Sequence, residues 1–487
     1  MPDPINFEYN KLHDSVHKTI GLSKIEVEII NTKAFQRLRN VKQLSLVHYV
    51  FPGADYSRFS HCIGTCHLAG KLFDAINKNP QERDDRSKQK IRLAGLLHDI
   101  GHYPFSHSME DAIKHYINTS PQAKSGLIKK GETPTEMSFS AQGYLDHENI
   151  GSKILDNDSQ IKEILCRNGF TPIEISNLFI KKGESPPPTI KNLISSDLDA
   201  DRLDYLIRDA HYMGLPYGST DLDYILRQMK YDEGKSGEKR PCIDSKALRT
   251  VDHFLLCRYF DYSQVIFQKT VTGMEEVLKR ALAYLLAKNK IKYSESDIID
   301  LISSGEWNEY DDIYIMGIIR NCHKDATTPP EEKLFMKSIL DRIPPKEIAK
   351  LEYIDQTGQR DIDCFNASIS DLKSIGQKIS GNFSINQKHI FVWDNGGLRL
   401  TKMGRMTEVS KAGDIDKADL NQRIRIHNRM TKDSLPIMER DDSLMSILAD
   451  KALYSMRLFI LDPTLTESKI KEIRDFVFSE LPYRDWK

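Results

Sequence analysis

A histidine followed directly by an aspartate closes an apolar run in Leu96-Leu97-His98-Asp99-Ile100-Gly101-His102. Imidazole nitrogen and carboxylate oxygen together suit a first-row divalent metal, which takes about six ligands when water is counted. Taken alone, the pair reads better as a helix C-terminus with its capping glycine, so a metal site needs more donors. Two candidates stand out. His61 lies in Ser57-Arg58-Phe59-Ser60-His61-Cys62-Ile63-Gly64, and Asp201 in Asp197-Leu198-Asp199-Ala200-Asp201-Arg202-Leu203-Asp204-Tyr205. On a helical wheel Asp201, Tyr205, Arg208 and Asp209 share one face, and Leu203, Leu206, Ile207 and Ala210 occupy the other. A polar face is ordinarily just solvated, but a tyrosine between two carboxylates with an arginine beside them is an unusual set for that purpose.

Helices must carry these residues. Through residue 290 apolar positions recur at three and four, as in IEVEIINTKAFQRLRNVKQL and GMEEVLKRALAYLLAK. Polar or breaker-rich stretches at Asn77–Lys90, Thr119–Gln142, Lys181–Thr189 and Asp232–Pro241 read as loops, the second a candidate lid. In the C-terminal third, KHIFVWDNGGLRLTK sets β-branched and aromatic residues around Gly-Gly and predicts a hairpin. The expected architecture is mainly α, with a helical domain over 1–290 and a smaller α/β subdomain over 291–487, regulatory or oligomerising in role. The boundary is set where KNKIKYSESD interrupts the helical pattern.

The whole-chain balance removes some classes. Across 487 residues, 69 Lys plus Arg nearly cancel 70 Asp plus Glu, so no global field draws the protein to nucleic acid or an anionic membrane. A nucleotide site must therefore be locally basic. Charged residues at 29% and hydrophobic residues at 39% are the balance of an ordinary globular protein. The seven cysteines, Cys62, Cys66, Cys166, Cys242, Cys257, Cys322 and Cys364, are odd in number and scattered, which argues against a disulfide framework. Cys62 and Cys66, four apart, read as core packing. MPDPINFEYNKLHDS has no apolar signal core, and no segment reaches the length of about 20 apolar residues needed to span a bilayer, so a cytoplasmic protein is expected.

With these residues in view, the sequence resembles the HD-domain deoxynucleoside triphosphate triphosphohydrolases, both bacterial dGTPase-like and animal SAM-HD-like members. The resemblance runs in order through Phe35-Gln36-Arg37-Leu38-Arg39, Val41-Lys42-Gln43-Leu44, Phe51-Pro52-Gly53-Ala54, Arg58-Phe59-Ser60-His61, HDIGHYPFSH at 98–107, His147-Glu148, and Asp201-Arg202-Leu203-Asp204-Tyr205 with Arg208-Asp209. It covers most of residues 10–270 and is loose in the C-terminal third, and no additional SAM domain is expected before the first motif. It implies an HD-domain helical phosphohydrolase core in which His61, His98, Asp99 and Asp201 ligate a divalent transition metal (manganese, iron, nickel, cobalt or zinc), with magnesium on the substrate phosphates. Such an ion makes water a nucleophile near neutral pH and withdraws charge from phosphoryl oxygens.

The resemblance further implies attack at the α-phosphorus of a dNTP, releasing deoxynucleoside and triphosphate. His107 is favoured as the acid for the departing 5′ oxygen, His102 as a phosphate contact, and His147 lies near the acid. Arg58, Arg202, Arg258 and Lys269 match positions that hold phosphate oxygens. Tyr205 and Asp209, with Gln43 and Leu44, would line a sugar pocket too close for a 2′ hydroxyl, since a buried hydroxyl without a partner costs about 1–3 kcal/mol. Family members are often nucleotide-activated homo-oligomers, dimers or tetramers. Gln36 and Arg39 match positions that read the activating base, while Asn31 stands where guanine-activated members usually carry aspartate and offers one donor group in place of a second acceptor. Activation by GTP is thereby put in question, leaving another activating or inhibiting nucleotide, or none, and the role would be nucleotide-pool control or antiviral, anti-phage defence. The alternatives are an HD hydrolase acting on monophosphates or cyclic nucleotides, which Tyr205 and Asp209 oppose, and a catalytically silent nucleotide sensor, which retention of the ligand set opposes. Nucleic-acid binding has no basic stripe to support it.

Overall fold

A computed structural model describes residues 4–79, 84–120, 144–180, 188–233, 239–399 and 423–481. The fold is mainly α. The chain forms two compact units whose segments interleave: Met1–Cys257, Leu282–Ile318 and Lys417–Ile437 in the first, Arg258–Ala281, Ile319–Asp416 and Met438–Lys487 in the second. This division differs from a single cut at 290/291, because the chain after the long helical run returns to the first unit for residues 282–318 before the second unit is completed.

The first unit opens with an antiparallel pair, β1 (Asn10–Asp14) and β2 (Lys18–Leu22), that the helical reading of the first 290 residues did not anticipate. Helix α1 (Lys24–Ile30) starts at Ser23, whose backbone amide donates to the Glu26 carboxylate at 2.8 Å. Helices α2 (Arg58–Ile76) and α3 (Asp85–Leu97) pack side by side, followed by α4 (His107–Thr119), α5 (His147–Asn157), α6 (Ser159–Arg167) and α7 (Ala200–Met213). The predicted loop at 77–90 is shorter than read, since Asp84 caps α3 and turns Asp85–Lys90 into helix. The 232–241 break is also not a plain loop: β3 (Met229–Glu233) pairs antiparallel with β4 (Lys239–Asp244). Most of the candidate lid, residues 121–143, lies outside the described residues, as do residues 181–187. Helix α8 (Leu248–Asp261) and α9 (Lys269–Ala287) each run across the division between the units, as does α10 (Asp312–Lys324).

Helix α7 shows how the ends of a site-bearing helix are fixed. Asp199 accepts the Arg202 amide at its start, and Gly214, at φ 66°, takes the left-handed turn that ends it. Its approach to α2 depends on Gly64, where a Cβ would fall 1.9 Å from Asp204 Oδ1. The polar face of the wheel is not solvated at Arg208 and Asp209, which are buried, as is Asp204.

In the second unit β5 (Lys346–Gln356), α11 (Gln359–Phe383), β6 (Ile390–Asp394), β7 (Leu398–Arg399), β10 (Lys451–Ile460) and α12 (Glu467–Glu480) form a small α/β layer; the first unit holds β8 (Arg425–His427) and β9 (Ser434–Pro436). The order is β5-β10-β6, with β7 also on β10. Helices α11 and α12 bury Phe365, Leu372, Ile379 and Ile473 against Leu351 and Leu458 of the sheet. The predicted hairpin around Gly396-Gly397 is not one, because β6 and β7 both pair with β10 and not with each other. Asn395 explains this. Its side chain accepts from Ser455 N at 3.0 Å and donates to Leu453 O at 2.8 Å, replacing ladder bonds where the edge strand breaks. Cys62 and Cys66 are buried, as packing requires.

Candidate metal centre and adjoining histidine cluster

Three helix ends converge on one cluster in the first unit. Helix α2 brings His61 in its first turn, the C-terminus of α3 leads into His98-Asp99, and the first turn of α7 brings Asp201. His61 Nε2 lies 3.0 Å from Asp201 Oδ1 and 3.7 Å from Asp99 Oδ2, and His98 Nε2 lies 3.3 Å from Asp99 Oδ1 and 3.7 Å from Asp201 Oδ1. The far side of each ring is fixed by an acceptor, Asp204 Oδ2 for His61 Nδ1 at 2.8 Å and Gly95 O for His98 Nδ1 at 2.9 Å. An acceptor at Nδ1 puts the proton there and leaves Nε2 as a lone pair facing the carboxylates.

Both Nε2 atoms are buried without a hydrogen-bond partner. Two lone pairs aimed at two carboxylates need a cation between them, and two imidazoles with two carboxylates are a donor set that first-row divalent metals accept. Protons answer the same need: burial lowers the His98 pKa, but Asp99 and Asp201 outweigh it and push it up to about 9. Burial raises the Asp99 pKa, yet Arg58, His98 and His102 hold its carboxyl well below the usual range.

Behind His61 stands a buried network that the sequence reading did not assign. Asp204 accepts from His61, from His17 Nε2 at 2.6 Å, and from Arg208 Nε at 2.8 Å and Nη2 at 2.9 Å. Arg208 in turn pairs with Asp14 at 2.9 Å, at the end of β1. Asp204 and Arg208 are entirely buried. Their spacing of three and seven from Asp201 was the available signal, since it puts all three along one side of a helix.

A second group adjoins the first. His102 Nε2 lies 3.2 Å from Asp99 Oδ1, and its ring stacks on His147 with centroids 4.0 Å apart. Glu110 joins two histidines, accepting from His147 at 2.8 Å and facing His107 Nδ1 at 3.3 Å. Burial pulls the His102 pKa well below its ordinary value, helped by Arg58 and His147. Burial also lowers His147, but Glu110 outweighs it and the net shift is upward. Glu110 is a second residue the sequence reading missed; its i, i+3 spacing from His107 on α4 was the clue. Gly101 brings the two parts together, since a Cβ there would lie 2.2 Å from His147 O.

Residues 58–208 match the family model described as HD domain. The chain carries an HD domain. It is 32% identical over 272 residues to an uncharacterized protein of Bacillus subtilis, covering 55% of this chain and 54% of that one. It is 31% identical over 319 residues to an uncharacterized protein of Methanocaldococcus jannaschii, covering 65% and 59%. A Mus musculus protein named deoxynucleoside triphosphate triphosphohydrolase is 31% identical over 248 residues, covering 50% of this chain and 37% of that one. The matches thus span about half the length of the bacterial and archaeal relatives. Among the described residues no helix is long and apolar enough to cross a membrane.

The remaining predicted residues, several of them outside the matched 58–208, fall into place unevenly. Arg58 is buried and its donors reach Asp99, Ser106 Oγ at 2.8 Å and Gln43 O at 3.4 Å. Gln43 N bonds Tyr56 O, and the Tyr56 hydroxyl donates to Asp209, so Gln43, Arg58 and Asp209 share one neighbourhood through Tyr56. Leu44 follows Gln43 half-buried, and half-buried Tyr205 lies one turn before Asp209 on α7. Arg202 is turned to its own helix-entry loop, bonding Ser196 O and Asp197. Arg258, fully buried, and exposed Lys269 belong to the second unit. Gln36 and Arg39 are joined at 2.7 Å, with Arg39 over the Phe59 ring. Asn31 lines a surface cleft with Glu28, Thr32, Gln160, Glu163 and Arg167, among which neither Gln36 nor Arg39 is found.

Proposed function

We propose that the HD domain hydrolyses deoxynucleoside triphosphates to deoxynucleoside and triphosphate. The observation that carries this reading is the pair of imidazoles, His61 and His98, whose Nδ1 atoms are tied back while their Nε2 atoms face Asp99 and Asp201, next to a carboxylate-linked histidine group. A divalent transition metal held by these four residues supplies an acidified water and a Lewis acid for the phosphoryl group. The name of the Mus musculus relative gives the substrate class.

The chain's own residues perform the rest. Water adds at the α-phosphorus, the bond from phosphorus to the 5′ oxygen breaks, and that oxygen takes a proton. His107 gives the proton, since its ring is open to solvent on one side and held by Glu110 on the other, with His147 as the second partner of that carboxylate. His102, kept neutral by burial and Arg58, suits a hydrogen bond to phosphate better than a proton transfer at neutral pH. Arg58, bonded to Asp99, brings its charge to the phosphate, with Arg202 of the same unit as a second contact. Magnesium accompanies the triphosphate. Asp209, Tyr205, Gln43 and Leu44 exclude a 2′ hydroxyl. Activation by a nucleotide through Asn31, Gln36 and Arg39, assembly into a homo-oligomer and a cytoplasmic role in nucleotide-pool control or defence belong to the same proposal.

The test is to incubate the protein with each dNTP and rNTP, singly and in pairs, in manganese or magnesium, and to resolve products by chromatography beside Asp201→Ala. Deoxynucleoside with intact triphosphate, absent in Asp201→Ala, is the expected outcome, and a required second nucleotide would identify the activator. No turnover in any pair, with nucleotide still bound, would overturn the reading in favour of a sensor or another HD substrate.

A further inference from the structure

The loop that presents His107 is built against its own backbone preferences. Phe105 and Ser106 have φ of 56° and 55°, and Ser106 has ψ of −128°, a region that side-chain-bearing residues rarely enter. Such a conformation persists only where surroundings over-determine it. The anchors come from outside the residues matched as HD domain. Asp312, buried at the start of α10 and in the first unit, accepts Phe105 N at 2.7 Å with Oδ1 and Lys42 N at 3.0 Å with Oδ2. Arg37 adds a second tie, donating to Tyr310 O at 2.6 Å and 2.8 Å and to His102 O at 2.8 Å. Ser106 Oγ closes the knot, donating to Lys42 O at 2.9 Å while accepting from Arg58.

We propose that Asp312 is a positioning residue whose single carboxylate holds the backbones of Phe105 and Lys42 together, and thereby sets His107 against the site. The inference rests on the hydrolase reading for His107 as proton donor, but the anchoring is a property of the fold. Helix capping does not explain Asp312, because Asp311 does that work by accepting Tyr314 N at 3.0 Å. The ionised carboxylate accepts strongly from both amides; in the protonated acid one oxygen carries the proton and is a much weaker acceptor. The groups around Asp312 are Arg37, Asp311 and the Lys42 ammonium as charges and the Lys42 and Phe105 amides as donors, and burial outweighs the favourable ones to push its pKa up to about 6.

The test is hydrogen exchange at the Phe105 amide, with steady-state kinetics alongside, in wild type and Asp312→Asn. In wild type, protection corrected for intrinsic exchange rises about tenfold between pH 5 and pH 7, following ionisation of Asp312. In Asp312→Asn, whose amide has one acceptor and one donor group, protection is low and flat, and kcat falls about tenfold to a hundredfold with KM and bound metal kept, as misplacement of a reacting group does. Wild-type protection and kcat in the variant would overturn the proposal. Should the variant fail to fold, a flat wild-type profile would overturn it and a rising one sustain it. Absence of dNTP turnover in wild type would remove the hydrolase reading, while Phe105 protection would still decide the anchor.

Discussion

The two histidine groups of the first unit are built in opposite ways. His61, His98, Asp99 and Asp201 come from helix ends, and the atoms pointing away from the cluster are tied to Asp204 or to a helical carbonyl. His102, His107 and His147 come from an irregular turn and two helix starts, and the His107 side chain is 66% exposed where that of His61 is 0%. Under the proposed function the first group would coordinate a metal, and coordination tolerates little movement of its donors, which accounts for a part locked by buried charge. A group that hands over a proton must meet a substrate and then release it, so that part keeps one exposed member on a loop held from behind.

If this contrast is right, the largest single effect comes from the lock. Asp204→Asn gives an amide that cannot accept from His61, His17 and Arg208 together, and leaves the buried Arg208 with Asp14 alone. Metal affinity is expected to fall about ten- to a hundredfold, the usual cost of losing a ligand's hydrogen-bond partner. Stability to denaturant should drop by about 3–5 kcal/mol, as for breaking a buried ion pair. Metal per chain after dialysis, with urea unfolding of the same samples, reads both. Full metal retention would show that His61 needs no partner and would erase the distinction drawn here.

The next effect falls on the other group and must leave the first intact. Glu110→Gln removes the charge shared by His107 and His147, whose raised pKa depends on it against the pull of burial. Metal content should be unchanged while kcat drops about a hundredfold, the low end of what a positioned acid contributes. The His147 pKa, followed by histidine proton resonances, should fall in the variant. Loss of metal in Glu110→Gln would mean the two groups are one.

How much of this was legible follows the same contrast. The four proposed ligands could be named as a set from the resemblance, after His61 and Asp201 had stood out beside the His98-Asp99 pair, and each lies in a contiguous motif. Their support could not, because His17 and Asp14 reach Asp204 only once β1 and β2 form, and strands of five mostly polar residues carry no helical or buried-strand period. The wheel put Arg208 and Asp209 on one polar face but could not give their partners, because Asp14 and Tyr56, which meet them in the core, come from elsewhere in the chain. Asn395 misled in another way: Asp-Asn-Gly-Gly has the composition of a hairpin turn, but its side chain continues a ladder along β10. Phe105 and Ser106 gave no warning of positive φ, since neither is a residue that signals one.

That last pair supplies the smallest effect on stability and the sharpest division between holding and acting. Ser106→Gly relieves a backbone conformation that glycine adopts freely, and removes a hydroxyl bonded to Lys42 O and Arg58 Nε. The loss of two hydrogen bonds, about 1 kcal/mol each, is offset by relief of backbone strain of about 1–3 kcal/mol, so unfolding stability should move by less than about 1 kcal/mol. Metal content should not change, because Asp99 keeps His98 and His102 as partners. Turnover should still fall, because the glycine loop has lost the contact that fixes its direction while Asp312 continues to hold the Phe105 amide. A variant with unchanged kcat would mean that Asp312 and Arg37 suffice to set His107. One that loses metal would place Ser106, through Arg58, in the lock and not in the loop.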